Sequence, residues 1–281
     1  MTVALHSGSM NKALLGLYTY FEFFALALVF LPIMGLVALF AKADPGRRHR
    51  GQWMRRFGRT TIRLTPLWRF SVEGPKPADI DTKPYVVVSN HLSTSDPFLL
   101  SWLPWDMRWV AKQELFRQPV TGWLIGLGGD IPLRRGHRSS VAQMFEACHE
   151  TLKAGVSVML FPEGTRSDSG EILPFKKGPF ALAVKAGVQV IPVTVEGTRH
   201  IMPKNSWNVI YAAAPVKVMI GKPIDPAPFG EDREALMRAV RDVIIDQSVA
   251  LGGPGGNKAD AIAARTDRDP KATEGKGSVT A

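Results

Sequence analysis

The chain has 281 residues, 45% hydrophobic and 21% charged, and its 35 Lys and Arg outnumber 25 Asp and Glu for a net charge of +10. That length and apolar content build one large domain or two small ones, and the basic excess points to an anionic partner such as a membrane surface, a nucleic acid or a phosphorylated substrate. The lone cysteine, Cys148, excludes an intramolecular disulfide and a cysteine-cluster zinc site.

In chain order, residues 1–22 form an N-terminal flank whose first dozen residues read as disordered. Phe23 to Ala41 follows, nineteen residues without a charge. At about 1.5 Å per residue a helix of that length nearly matches a bilayer's hydrocarbon core, and Pro32 in its middle predicts a kink. The segment reads as a membrane helix or re-entrant anchor. The small-residue sequence Ala41-Lys42-Ala43 also allows a signal peptide, and a buried core helix is the third reading. The apolar run is long for a signal peptide, and Lys12 is the only Lys or Arg before it.

Residues 42–70 form a basic collar, with nine Lys and Arg between Lys42 and Arg69 against one acid, Asp44. By the positive-inside rule this places the bulk of the chain in the cytoplasm. Trp53, Phe57, Thr61, Leu64 and Trp68 recur at helical spacing beside a stripe of Arg55, Arg59 and Arg63. This amphipathic pattern fits a helix lying on anionic lipid, and equally one packed on the core with its arginines in solvent. No nucleic-acid motif accompanies the charge, so no nucleic-acid partner is expected.

From residue 84 strands and helices alternate. The expected strands are Tyr85–Ser89, Met107–Ala111, Val156–Phe161, Gln189–Thr194 and Val216–Ile220. Helical patterns lie near Phe98–Leu103, Val120–Gly126, Ser139–Ala154, Pro179–Ala186 and Glu231–Leu251. The order is α/β, and the unbroken apolar strands suit a sheet covered on both faces. Residues 252–281 read as a disordered tail, poor in large apolar side chains.

Three segments have the residue types for chemistry. In Ser89-Asn90-His91-Leu92-Ser93-Thr94-Ser95-Asp96-Pro97, a histidine at a strand's end precedes a carboxylate by one short loop. An imidazole titrates near neutral pH, and an acid on its far nitrogen fixes the tautomer. Asp96-Pro97 also reads as a helix N-cap with proline at the first helical position. Phe161-Pro162-Glu163-Gly164-Thr165-Arg166 follows a strand, where α/β sheets bind ligands. There Gly164 permits close backbone approach, and Arg166 has the fork to grip a phosphate. Ile131-Pro132-Leu133-Arg134-Arg135 follows a Gly-Gly pair that matches no nucleotide-binding fingerprint. Singly, these patterns also fit a loop histidine, a surface Glu–Arg pair and two exposed arginines.

Together and in this order, the segments resemble the glycerolipid acyltransferases, specifically the lysophosphatidic acid acyltransferases. His91 to Asp96 resembles that family's HxxxxD block and Ile131–Arg135 its second. Phe161–Arg166 resembles the third, with Glu163 lying 72 residues after His91. Val190-Ile191-Pro192-Val193 resembles the fourth. Arg134 and Pro132 stand where the family usually has an acid and a larger apolar residue.

The resemblance implies a single acyltransferase domain over residues 71–251, with a mixed sheet flanked by helices and preceded by the membrane helix. It implies His91 as general base oriented by Asp96, and Arg135 and Arg166 on an acceptor phosphate. Gly164 and Thr165 are implied to bind the acceptor and Glu163 to bind it or to orient the site, with Lys112 a further candidate. The implied reaction moves a fatty acyl group from acyl-CoA or acyl carrier protein, as co-substrate, to 1-acyl-glycerol-3-phosphate, making phosphatidic acid without a cofactor or metal. Other acceptors for the same chemistry are glycerol-3-phosphate, a lysophospholipid or a lyso-aminolipid; a non-catalytic anionic-lipid-binding protein is the alternative class. The expected place is the cytoplasmic face of the cell inner membrane.

Overall fold

The computed structural model describes residues 12–41, 44–65, 70–202 and 215–258. The first eleven residues, Lys42, Trp68 and Arg69 of the collar, and residues 259–281 of the tail lie outside the described residues.

The first helix, α1 (Lys12–Phe40), runs through Pro32 and begins well before the charge-free run at Phe23. The segment ahead of Phe23 is rich in Leu, Tyr and Phe, and its one acid, Glu22, is buried accepting a 3.0 Å hydrogen bond from Thr65 Oγ1. A carboxylate with a hydrogen-bond donor inside the protein does not end a helix. After α1 comes α2 (Arg48–Leu64). The two pack through edge-on aromatic contacts of Phe23 and Phe30 with Phe57, each at 5.5 Å. The other side of α1 is open, with Phe21 69% and Leu28 77% exposed.

The arginine stripe of α2 is only in part the solvated or lipid-facing row that its spacing allowed: Arg63 is exposed, whereas Arg55 and Arg59 turn inward. Arg55 is buried and pairs with buried Asp130 at 3.4 Å. Arg59 donates to the carbonyls of Ser101 (2.7 Å) and Leu103 (2.6 Å). These contacts fasten α2, and α1 with it, to the α/β body. The apolar row ending at Leu64 meets α1 through Trp53 and Phe57.

Among the described residues seven strands make one sheet: β1 (Phe70–Glu73), β2 (Val86–Ser89), β3 (Met107–Lys112), β4 (Ile131–Leu133), β5 (Ser157–Leu160), β6 (Val190–Glu196) and β7 (Val216–Ile220), in spatial order β1-β7-β6-β2-β5-β3-β4. Strands β6, β2, β5, β3 and β4 are parallel; β7 pairs antiparallel with β6 and parallel with β1, so the sheet is mixed. The side-chain period of two divides each central strand between two cores. Val86, Val88, Val158 and Leu160 face the core under α5 (Arg138–Lys153), α6 (Gly178–Ala186) and α7 (Arg233–Leu251). Val87 and Met159 face the opposite core, with Leu99 and Leu100 of α3 (Asp96–Leu100). Helix α4 (Thr121–Gly128) packs against α2.

The five expected strands and five expected helices of the α/β region are present within a few residues. β1 and β4 are additional. β4 is three residues with a proline, tolerated because it lies at the sheet's edge. Residues 252–258, the beginning of the segment read as tail, pack back on the domain. Arg241 bonds the carbonyls of Ile172, Leu173 and Asn257, and Gly255 O accepts from Ile172 N.

Candidate active site

Four neighbouring parallel strands carry the candidate residues at or just beyond their C-terminal ends: His91 after β2, Glu163 after β5, Lys112 closing β3 and Arg135 after β4. In a parallel sheet this edge is where the loops of separate βα units converge. The strand order thus gathers residues far apart in sequence.

The His91 Nδ1 to Asp96 Oδ2 distance is 2.8 Å. Asp96 Oδ2 also accepts from the backbone N–H groups of Leu92 (2.8 Å) and Ser93 (2.9 Å). Asp96 is itself the first residue of α3, so its carboxylate does not cap that helix; it folds the His91–Ser95 loop around itself. With Nδ1–H held by a carboxylate, Nε2 is left as the proton acceptor. The imidazole stacks on Phe161 at 4.0 Å between ring centres, a contact that block spacing alone does not reveal.

Glu163 is buried beneath this loop. It accepts from His91 N at Oε1 (2.9 Å) and from Leu173 N at Oε2 (3.2 Å). Burial pushes its pKa up to about 8, against the opposing pull of those two N–H groups. Glu163 therefore positions the backbone of His91 and faces no arginine fork of its own block, contrary to the surface Glu–Arg pair that the motif also allowed. Ser167 N donates to His91 O (2.8 Å), a second tie between the two blocks.

Gly164 has φ +68, in the left-handed region glycine favours, and a Cβ there would sit 2.8 Å from both Cε and Nζ of Lys176. The Lys176 side chain thus lies over the Glu163-Gly164-Thr165 turn. Arg166 Nη1 donates to Thr94 Oγ1 (2.5 Å), and Thr165 is exposed. The Arg135 guanidinium is held below its ordinary pKa by partial desolvation and by Arg166, against a pull upward from Glu114. Arg135 likewise depresses the Lys176 ammonium, after partial desolvation. Lys112 is exposed and 3.8 Å from Glu114. Among the described residues, Arg135, Arg166 and Lys176 have no carboxylate within ion-pair distance. Lys176 was not singled out by sequence reasoning; the only signal is a Lys-Lys pair that begins ten residues past the third block.

Cys148, on α5, is fully buried in the core, its thiol pushed up to about 12 by burial. Among the described residues no cluster of three His, Cys, Asp or Glu side chains is placed to hold a metal ion.

This arrangement has relatives. A family model described as Acyltransferase matches residues 69–196. A chloroplastic 1-acyl-sn-glycerol-3-phosphate acyltransferase of Arabidopsis thaliana, LPAT1, is 37% identical over 70% of this chain and 54% of its own length. The chain thus spans about half the length of the plant relatives it matches. The 1-acyl-sn-glycerol-3-phosphate acyltransferase of Escherichia coli is 32% identical over 69% of this chain and 79% of its own. The crystal structure of the 1-acyl-sn-glycerophosphate acyltransferase PlsC from Thermotoga maritima superposes with a TM-score of 0.68 at 29% identity, covering 86% of this chain and 98% of that one. By sequence over most of the bacterial relative, and by fold, the chain belongs to the family of 1-acyl-sn-glycerol-3-phosphate acyltransferases.

Proposed function

We propose that the protein transfers a fatty acyl group from acyl-CoA or acyl carrier protein to the free hydroxyl of 1-acyl-glycerol-3-phosphate, giving phosphatidic acid. The observation that carries this reading is the buried Asp96 holding His91 Nδ1 at 2.8 Å, beside a turn where cations stand without carboxylate partners. His91 Nε2 takes the hydroxyl proton as the oxygen attacks the thioester carbonyl. The C–O bond forms, the C–S bond breaks, and the imidazolium returns the proton to the departing thiolate. Asp96 supports the imidazolium and fixes its tautomer. Arg135 and Arg166 take the acceptor phosphate, with Gly164 and Thr165 beside it and Lys112 at the rim. Glu163 holds the His91 backbone. A positioned base supplies about 10²–10⁴-fold, and holding two substrates together supplies more.

The acceptor is a lipid, and α1 supports work at a membrane. It is the one helix among the described residues long and apolar enough to cross a bilayer. Its inner face, however, packs on α2, whose Arg55 and Arg59 are bonded into the α/β body. Crossing the bilayer would strip α1 from that partner or drag arginines into hydrocarbon. The favoured placement is in one leaflet, the open face of α1 in the acyl region and the catalytic edge at headgroup depth, on the cytoplasmic face of the cell inner membrane.

The test is His91→Ala in the full chain. Transfer of a labelled acyl chain to 1-acyl-glycerol-3-phosphate should fall by about 10²-fold or more, with flotation on anionic vesicles unchanged. A wild type that floats but acylates none of lysophosphatidate, glycerol-3-phosphate or a lysophospholipid would leave only a lipid-binding role.

A further inference from the structure

We infer that Lys176 is a third cation on the acceptor phosphate and that the trio Arg135, Arg166 and Lys176 selects phosphomonoesters over phosphodiesters. The inference rests on the acyl-acceptor reading above and adds a residue outside the four blocks that resemble the family. Lys176 is placed by its backbone: its N–H donates to Pro162 O at 2.9 Å, which sets it alongside the Pro162-Glu163-Gly164 turn. From there its side chain runs across the face of Gly164, 2.8 Å from where a Cβ would stand. Any side chain at that position would displace it, so the glycine and the lysine are coupled. Its neighbour Lys177 has a different fate, paired with Glu234 of α7.

Three like charges do not gather in a folded protein for their own stability; each pair repels. Arg166 acts on Arg135 and Arg135 on Lys176, and the carboxylate acting on Arg135, Glu114, also lies 3.8 Å from Lys112. A compact dianion with three free oxygens resolves this imbalance. A phosphomonoester is such a group, with a second pKa of about 6. A phosphodiester has one charge and two free oxygens, so one of the three cations is left without a partner. The two guanidiniums offer planar forks, and the ammonium adds a mobile point charge for the remaining oxygen.

The experiment is steady-state kinetics of the full chain in mixed micelles for wild type, Lys176→Gln, Lys176→Arg and Lys177→Gln. The acceptor is 1-acyl-glycerol-3-phosphate, and lysophosphatidylglycerol serves as a competing diester. Lys176→Gln should raise KM for the monoester about 10- to 100-fold, the range for one charged hydrogen bond, with kcat within about threefold. Lys176→Arg should recover most of the affinity, and Lys177→Gln should match wild type. The inhibition constant of the diester should move by less than about threefold. An unchanged KM in Lys176→Gln, a kcat loss at constant KM, or equal losses for monoester and diester would overturn the inference. Where melting shows that Lys176→Gln is unfolded, the same comparison is read from Lys176→Met, which keeps the length of the side chain without its charge and must raise monoester KM while leaving the diester alone. A wild type that acylates no phosphate acceptor defeats the proposed function itself, whereas an active wild type with an indifferent Lys176 defeats only this inference.

Discussion

Arginine is used in two opposite ways in this molecule. On α2, Arg55 is buried against Asp130 and over the Trp109 ring, and Arg59 is spent on two backbone carbonyls. Arg108 is likewise consumed, by Asp106 and by the carbonyls of Gly46 and Arg47. At the catalytic edge, Arg135 and Arg166 repel one another, and Glu114, which pulls the other way on Arg135, stands outside ion-pair distance. A cation buried against a carboxylate or bonded to backbone carbonyls holds elements together. A cation that the fold leaves with open donors beside another is available to a ligand, at some cost to stability.

The largest expected effect is at Asp96. Asp96→Asn keeps an oxygen for Leu92 N and Ser93 N, so the loop survives while the imidazole loses its charged partner. Acyl transfer should drop by about 10²–10⁴-fold with little change in melting temperature. An equal loss of fold would mean that this carboxylate belongs with the structural set. Arg55→Ala strands buried Asp130 with the Trp109 N–H and should cost about 3–5 kcal/mol, a fall in Tm of about 6–20 °C, seen by calorimetry. Its KM for the acceptor should stay near wild type.

Arg166→Ala should do the reverse. Acceptor KM should rise about 10- to 100-fold, and Tm should hold or climb slightly as repulsion with Arg135 is relieved. If Arg55→Ala moved KM and Arg166→Ala moved Tm, the division into holding and binding arginines would fail. The finest test concerns Glu163, the carboxyl inside the catalytic edge. Its folded pKa of about 8 lies above the ordinary 4.5, so the folded state retains a proton that the unfolded chain loses first. Its contribution to stability is complete below about 4.5 and is lost as pH rises through about 8. Urea midpoints of the wild type should therefore fall more between pH 5 and pH 9 than those of Glu163→Gln, which cannot ionise. At pH 5 the variant should cost only about 1 kcal/mol, one hydrogen bond. Parallel slopes would show that Glu163 is ionised in the fold, and that the site's cations are less isolated than they look.

Much of the fold was legible because its signals are local. Val86–Ser89, Ser157–Leu160 and Val190–Glu196 are short apolar runs bounded by turn residues, and each is a buried strand. His91 and Asp96 are one loop apart, so their pairing asked little of the rest of the chain. The beginning of α1 was misread because Glu22 looks like a boundary and is in fact sheltered by Thr65. β4 was missed because three residues with a proline carry no strand period.

What the residues determined alone is the list of parts: an apolar helix, a basic collar, α/β alternation and a histidine–aspartate loop with arginines elsewhere. Spacing and side-chain period fix these, since both act over a few residues. Which parts meet was decided only by the tertiary structure. The order β2-β5-β3-β4 brings His91, Glu163, Lys112 and Arg135 to one edge, and the Pro162–Lys176 bond lays a lysine over Gly164. The same folding takes Arg55 out of the row its spacing suggested and buries it on Asp130. Periodicity states which face a side chain is on, whereas burial and partnership depend on what long-range pairing puts opposite that face.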